Sequence, residues 1–283
     1  MGGHERISPT ACFVAYCRTL SDIPYSQEIF QELQETIKTT KWFEEFAKFS
    51  TSKTLEIAPT FEARYKLVNR ILKEKGINQV LEIASGFSPR GIQLAQDPSI
   101  EYIGMDLPGV AGDMKALLQK LISSGQIPHQ PNYHLCEGSA LNLSDLYAAT
   151  SRFKEQPIAV VNEGLLRYLS FEEKAVVATN VRQLLDRFGG VWVTPDRSVQ
   201  RQLPDEKEQD LQISRLTGID LAKNYFDHED AARIFFEKLG YRVEQRSFQE
   251  VADQLISPAR LNLPQEKINK ALDHAVFLMT IGS

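Results

Sequence analysis

Three small residues, Ala84, Ser85 and Gly86, follow a short apolar run and precede a helical pattern. A buried strand that ends in such a turn lets a ligand approach the backbone closely, because no bulky side chain stands in its way. The next apolar run ends at Asp106, whose carboxylate could accept hydrogen bonds from both hydroxyls of an adenosine ribose. The two strand ends together favour a site for a ligand that contains adenosine.

Two phosphate-binding motifs and a turn that binds no ligand are the alternatives for this segment. A dinucleotide site needs G-x-G-x-x-G, but with Gly86 as the second glycine, Ala84 and Pro89 stand at the other two positions. Pro89 would also hinder the close helix packing that the third glycine permits. A phosphate-cradling G-x-x-x-x-G-K-[ST] is missing from the sequence. A tight strand-to-helix turn without a ligand is the remaining alternative.

The elements that must position these residues alternate along the chain after Gly76. Short apolar runs at 80–84, 102–106, 133–136, 158–162 and 190–194 are separated by helical patterns such as 112–123 and 171–188. This alternation predicts an α/β fold with a doubly wound, mostly parallel, seven-stranded sheet. The last two runs, 241–248 and 275–281, lack a full crossover helix between them. We therefore expect the last strand to be antiparallel.

The first quarter of the chain predicts helices only. Ser8 and Pro9 can start a helix, and amphipathic patterns follow at 29–37, 42–49 and 61–75, the last ended by Gly76. We therefore divide the chain into an N-terminal helical extension, 1–75, and a Rossmann-like core, 76–283, with an insertion near 197–226. The extension is expected to form a lid over the site or a dimer contact.

Three ordered motifs resemble those of one protein family. LEIASGFSPRG at 81–91 looks like the first signature of class I S-adenosylmethionine-dependent methyltransferases. More narrowly, it resembles the leucine carboxyl methyltransferase-like family, which includes polyketide O-methyltransferases. DLPGV at 106–110 and EGLLRYL at 163–169 are similar to that family's D-L-P-x-V and E-G-L-L-x-Y-L. Ala84, Ser88 and Pro89 depart from its G-A-G-F-D-T-R pattern, so the resemblance implies the cofactor, S-adenosyl-L-methionine, but not the acceptor.

The resemblance also implies a set of cofactor-binding residues. Glu82 would line the methionine part together with the turn that follows it, and Asp106 would hold the ribose. Glu163 would lie beside the cofactor. Arg64 and, as a weaker match, Arg18 would grip the cofactor's carboxylate, since a guanidinium can hold a carboxylate with two hydrogen bonds. The full set is Arg18, Arg64, Glu82, Ser85, Gly86, Asp106, Leu107, Ser139, Ala140 and Glu163.

The acceptor residues are sought at the carboxyl ends of the later strands, where ligands of parallel sheets bind. Methyl transfer needs alignment and, for a hydroxyl acceptor, a base, whereas a carboxylate acceptor needs a cation to orient it. Arg167 and Tyr168 follow the fourth strand, and Asp196 follows the fifth. His228, which precedes the helix after the insertion, is the candidate base. Structural roles are the alternatives for Tyr168 and His228.

Composition limits the remaining classes of function. The chain has 283 residues, and its formal net charge of -5 gives no general affinity for nucleic acid or for anionic membranes. Its 3 cysteines, Cys12, Cys17 and Cys136, lack metal-ligand spacing and are expected to be buried thiols, so no metal is predicted. We find no signal-peptide pattern and no run long enough to span a membrane, which predicts a cytoplasmic protein.

The function expected from these observations is O-methylation of a small-molecule carboxylate or hydroxyl, as found in secondary metabolism. The partner expected is therefore a small-molecule acceptor, with neither nucleic acid nor membrane, and the protein is expected to be a monomer or a homodimer. The alternatives are methylation of a protein C-terminal carboxylate and a non-catalytic subunit that binds S-adenosylmethionine.

Overall fold

Three helices open the part of the chain that the structure describes. The computed structural model describes residues 8–37, 55–200 and 204–282, so the helix predicted at 42–49 lies outside the described residues. The three helices are α1 (Ser8–Thr19), α2 (Ser26–Ile37) and α3 (Ala58–Lys75). Gly76 ends α3 with a φ of 61° and donates its N–H to the carbonyl of Lys73, as the sequence predicts.

Seven strands form one sheet in the order β3-β2-β1-β4-β5-β7-β6. They are β1 (Gln79–Ile83), β2 (Glu101–Asp106), β3 (Tyr133–Glu137), β4 (Ile158–Val161), β5 (Gly190–Thr194), β6 (Tyr241–Ser247) and β7 (Ala275–Ile281). Strands β1 to β5 pair in parallel, whereas β7 is antiparallel to both of its neighbours. The predicted fold class, including the antiparallel last strand, is confirmed.

Helices cover both faces of this sheet. All residues of β1 and β4 are therefore buried, whichever face they point to. The helices that follow β1 are α4 (Arg90–Leu94), α5 (Pro108–Ser123), α6 (Leu143–Ala149), α7 (Phe171–Phe188), α8 (Pro204–Thr217), α9 (Glu229–Lys238), α10 (Ser257–Arg260) and α11 (Gln265–Leu272). Short 3-10 turns occupy Leu166–Tyr168 and Leu221–Asn224. Together with α8, the second turn occupies most of the predicted insertion.

Helix α3 packs directly against one face of the sheet. Leu67 and Val68 of α3 belong to one buried cluster with Val80, Ala159 and Val191 of three strands. The opposite face is covered by α6, α7 and α9. Thus α3 is part of the sheet core in packing terms, although it falls within the predicted N-terminal extension.

Candidate functional site

A cavity of about 190 Å³ opens at the carboxyl ends of the central strands. One part of its wall, here called the sheet side, consists of residues that follow β1, β2 and β3: Ala84, Ser85, Gly86, Phe87, Asp106, Leu107, Val110, Gly138, Ser139, Ala140 and Leu141. The other part, the insertion side, comes from α1, α3, the segment after β4 and α8: Thr10, Phe13, Phe61, Arg167, Tyr168, Asp210 and Ile213. The cavity therefore lies where the sequence predicts ligand binding.

The turn after β1 is held directly by the carboxylate at the end of β2. The backbone N–H of Gly86 donates to Asp106 Oδ2 over 2.7 Å, and the N–H of Leu107 donates to Oδ1 over 2.8 Å. Ala84 and Gly86 both have positive φ, 52° and 55°. Ala84 thus occupies a conformation that favours glycine, which is the residue the resembling family has there.

Asp106 keeps the capacity to accept further hydrogen bonds from a ligand. Burial raises the pKa of Asp106 above its ordinary value, and the N–H groups of Gly86 and Leu107 oppose that rise. A carboxylate has about four lone-pair sites, and the two backbone donors occupy only two of them. This leaves acceptor positions for a pair of adjacent hydroxyls.

Five charged side chains form a buried group beside this turn, here called the arginine cluster: Arg18, Arg64, Arg90, Glu82 and Glu163. Oε2 of Glu163 accepts from Arg64 Nε over 2.8 Å and from Arg18 over 3.1 Å. Arg90 is fully buried and bridges Glu163 and Glu82. Tyr102 donates its hydroxyl to Glu82 over 2.7 Å. Helices α1, α3 and α4 thus meet at one carboxylate, which lies in the segment after β4.

The arginine cluster carries one excess positive charge, because three guanidiniums face two carboxylates. Burial alone would raise the pKa of Glu163, but Arg90, Arg64 and Arg18 together hold it well below its usual range. Burial would lower the pKa of Arg90, yet Glu163 and Glu82 raise it well above its ordinary value. Both groups are therefore ionised at neutral pH.

Two of these guanidiniums are incompletely bonded. Nε of Arg18 is buried and has no hydrogen-bond partner among the described residues. Arg64, whose side chain is 12% exposed, bonds Glu163 through Nε alone within the part of the chain that the structure describes. Both side chains line the cavity. The cluster therefore fits a small anionic group such as a carboxylate.

The remaining sheet side is shaped by the loop after β3. Asp145 accepts the N–H of Ser139 over 2.9 Å, and the Ser139 hydroxyl accepts the N–H of Leu141 over 3.2 Å. These bonds shape the loop in which Ala140 lines the cavity, and Leu107 lines the cavity from the separate segment after β2. The surfaces they offer are small and apolar, which suits a flat heterocycle.

The insertion side combines apolar walls with one ion pair, between Arg167 and Asp210. Arg167 donates to Asp210 and to the Tyr225 hydroxyl, each over 2.7 Å. Tyr168, which the sequence left between a site role and a packing role, lines the cavity and donates to Thr10 over 3.1 Å. Both of the residues predicted to follow the fourth strand therefore reach the cavity.

His228 and Asp196 lie elsewhere. Nδ1 of His228 accepts the N–H of Ala231 over 3.1 Å and caps α9 at an exposed position outside the cavity lining. The geometry of the described residues therefore does not support His228 as a base, because its ring is bound to the N-terminus of α9. Asp196 also lies outside the cavity lining and bonds backbone N–H groups instead.

Arg90 is the main site residue that the sequence analysis missed. A signal was present, because Glu82 lies within a strand predicted to be buried, and a buried carboxylate requires a cationic partner. Arg90 lies beyond the turn that follows this strand and is the first residue of α4.

Two kinds of feature are absent from the described residues. Among them, no group of histidine, cysteine, aspartate and glutamate side chains could hold a metal ion. In the same ranges, none of the helices combines the length and apolar character that crossing a membrane requires. Cys12 and Cys17 are buried free thiols, and Cys136 is partly exposed.

Comparisons with known proteins identify the fold. No family model matches the sequence, and no curated protein matches it either. A DUF574 family protein from Streptomyces avermitilis is 15% identical, with a TM-score of 0.56 and 97% of each chain covered. Magnesium protoporphyrin IX methyltransferase from Synechocystis, solved with bound SAH (S-adenosylhomocysteine), is 11% identical, with a TM-score of 0.52 over 89% of this chain and 100% of that one. The chain therefore has the α/β fold of class I methyltransferases.

Proposed function

We propose that this protein is an S-adenosylmethionine-dependent O-methyltransferase that acts on a carboxylate or a hydroxyl of a small molecule. The observation that carries the proposal is the pairing of two features at one cavity. Asp106 offers acceptor positions beside the turn after β1, and the arginine cluster offers one excess positive charge. A ligand with a ribose at one end and an amino-acid carboxylate at the other satisfies both.

The residues that would hold the cofactor follow from this pairing. Asp106 would accept from the ribose hydroxyls, and Arg18 and Arg64 would hold the carboxylate beside Glu163. Ser85 and Gly86 would lie along the methionine part, while Leu107, Ser139 and Ala140 would contact the adenine. When bound, S-adenosylmethionine supplies a methyl group on a positively charged sulfur, which is already activated for displacement.

The insertion side would receive the acceptor. Phe13, Phe61 and Ile213 give it apolar walls, and Arg167, held in place by Asp210 and the Tyr225 hydroxyl, gives it a guanidinium. Such a surface suits a small molecule with an apolar body, oriented by a carboxylate or a hydroxyl near Arg167. The protein's contribution would be alignment of the two reactants and exclusion of water.

We further propose that the N-terminal extension acts as a lid. Thr10, Phe13 and Arg18 of α1 line the cavity, and α1 passes so close to the turn after β1 that a Cβ on Gly86 would lie 3.6 Å from Ala11 Cβ. The partner proposed is the small-molecule acceptor. The monomeric or homodimeric state and the cytoplasmic location stay predictions.

Calorimetry with S-adenosylmethionine tests the cofactor assignment. The wild type is expected to bind, and Asp106→Ala and Asp106→Asn are expected to raise Kd by roughly 10- to 100-fold, the effect of losing hydrogen bonds to a charged acceptor. Asp186→Ala, which removes an exposed carboxylate on α7, is the control and should leave Kd unchanged.

Three outcomes separate the possibilities. Absence of binding to the wild type would overturn the proposed function. Equal affinity in the wild type and in folded Asp106 variants would overturn the ribose assignment alone. Binding without turnover, across a panel of aromatic and aliphatic acids and phenols, would replace the enzyme with a non-catalytic cofactor-binding subunit.

A further inference from the structure

The carboxylate of Asp196, at the end of β5, accepts four hydrogen bonds. Its Oδ1 accepts the backbone N–H of Gly164 over 2.8 Å. Its Oδ2 accepts the N–H groups of Leu165 and Leu166 over 2.6 and 3.0 Å, and the Asn162 side chain over 2.8 Å. Three consecutive backbone N–H groups of one segment therefore point at a single buried carboxylate, an arrangement that stabilises an anion strongly.

The segment that Asp196 holds connects two site residues. Glu163 immediately precedes it and receives the guanidiniums of the arginine cluster. Arg167 follows it and forms the cation of the insertion side. Gly164 has a φ of 81°, which permits the backbone to turn its successive N–H groups inward. The direction of both side chains thus depends on the backbone that Asp196 fixes.

Asp196 is itself anchored in the core of the sheet. The Thr194 hydroxyl accepts the N–H of Asp196 over 3.1 Å and an amide hydrogen of Asn162 over 2.9 Å. The Asn162 carbonyl accepts the indole N–H of Trp192 over 2.7 Å. Trp192 is fully buried, with its ring 5.5 Å from that of Phe236. A continuous set of satisfied hydrogen bonds therefore joins a packed core residue to the segment after β4.

We infer that Asp196 is a positioning residue that sets the cofactor-binding and acceptor-binding halves of the site together, although it touches neither ligand. This inference rests on the proposed function. Its physical basis is that one carboxylate fixes the backbone between Glu163 and Arg167. Loss of its charge should therefore weaken binding on both sides of the cavity at once, which a residue with a local role would not do.

The test compares Asp196→Asn with a control substitution at the opposite end of the parallel strands, where they begin. Asn keeps the shape, but its amide group would face N–H donors with hydrogens of its own. Gln79→Ala is the control. The buried side chain of Gln79, at the start of β1, also holds a loop: its amide donates to the carbonyls of Lys154 and Gln156 and accepts the N–H of Lys154. Thermal unfolding of both variants shows whether they lose comparable stability.

The discriminating readouts are calorimetric affinity for S-adenosylhomocysteine and, with an acceptor that turns over, KM set against kcat. We expect Asp196→Asn to weaken S-adenosylhomocysteine about tenfold and to raise acceptor KM, as loss of charge-assisted hydrogen bonds implies. Gln79→Ala should change neither. Thr194→Val removes the hydroxyl that accepts from Asp196 N–H and from Asn162 but leaves the Asp196 carboxylate in place, so it should move both readouts in the same direction by less. It replaces Asp196→Asn if that variant does not fold.

The two possible failures are distinguishable. A wild type that binds no S-adenosylhomocysteine would overturn the proposed function and this inference with it. A wild type that binds, beside folded Asp196→Asn or Thr194→Val proteins that bind equally well, would overturn the inference alone. Weakening by Gln79→Ala to the same extent would assign the effect of Asp196 to general stability and would also overturn it.

Discussion

Glu163→Gln removes the carboxylate on which three guanidiniums converge. The Glu163 side chain is 3% exposed, and it lies 2.8 Å from Arg64 and 3.1 Å from Arg18 in addition to its contact with Arg90. The substitution leaves three cations facing Glu82 alone, so the excess charge of the arginine cluster rises from one to two. Because these groups are buried, water does little to compensate the change.

The expected magnitude is large. Breaking a buried ion pair by removing one partner costs about 3–5 kcal/mol, and in a chain of this size each kcal/mol shifts Tm by roughly 2–4 °C. Glu163→Gln should therefore lower Tm by roughly 6–20 °C. The arginines hold the pKa of Glu163 well below its usual range. The stabilisation is thus fully present above the ordinary value of 4.5 and is lost only as the pH falls toward the folded-state pKa.

Circular dichroism melting of wild type and variant, between pH 5.5 and 8, measures this effect. The Tm difference should be constant across that range. Glu155→Gln is the matched control, because Glu155 also pairs with an arginine, Arg187, over 2.7 Å, but its side chain is 67% exposed. A Tm decrease no larger than that of Glu155→Gln would refute the stabilising role of the arginine cluster.

Two further substitutions test the packing and the charges around the site. Gly91→Ala should lower the free energy of unfolding by about 1–3 kcal/mol, because a Cβ there would lie 2.3 Å from the Tyr133 ring. In a double-mutant cycle measured by urea unfolding, Tyr133→Leu should recover part of that loss. If the two substitutions instead had simply additive effects, the clash would be contradicted. Burial lowers the pKa of Lys174 to about 8, so the native state releases a proton that the unfolded chain retains, and the stability of wild type relative to Lys174→Met should rise between pH 8 and 10. Urea unfolding at pH 7.5 and 9.5 measures this. The same difference in unfolding free energy between the two proteins at both pH values would contradict the prediction.

The elements with strong local signals were predicted with their bounds. The helix at 171–188 and the strand at 275–281 have the predicted limits. The helix begins where Ser170 and Glu173 form a reciprocal capping box, and Gly189 follows its end. Signals of this kind lie within a few residues of one another, which is why sequence alone locates them.

The partners of the site residues depend on contacts between distant segments. Asp196 follows a strand and was therefore expected to face a ligand, but the segment after β4 offers it three N–H groups. The meeting of Arg18 and Arg64 on Glu163 joins residues 145 and 99 positions apart. Its position at a strand end predicts that a side chain lies near the ligand-binding edge of the sheet. Which residues it binds there depends on how α1, α3 and α4 pack, and the sequence does not show this.

That meeting point has an evolutionary consequence. Because α1, α3, α4 and the segment after β4 are joined through Glu163, a substitution there that alters the proposed cofactor binding would also alter the stability of the whole chain. Selection cannot tune one property without the other there. Phe13, Phe61 and Ile213 carry no charge of that group, so under the proposed function substitutions there would change the acceptor surface without changing the charges of the arginine cluster.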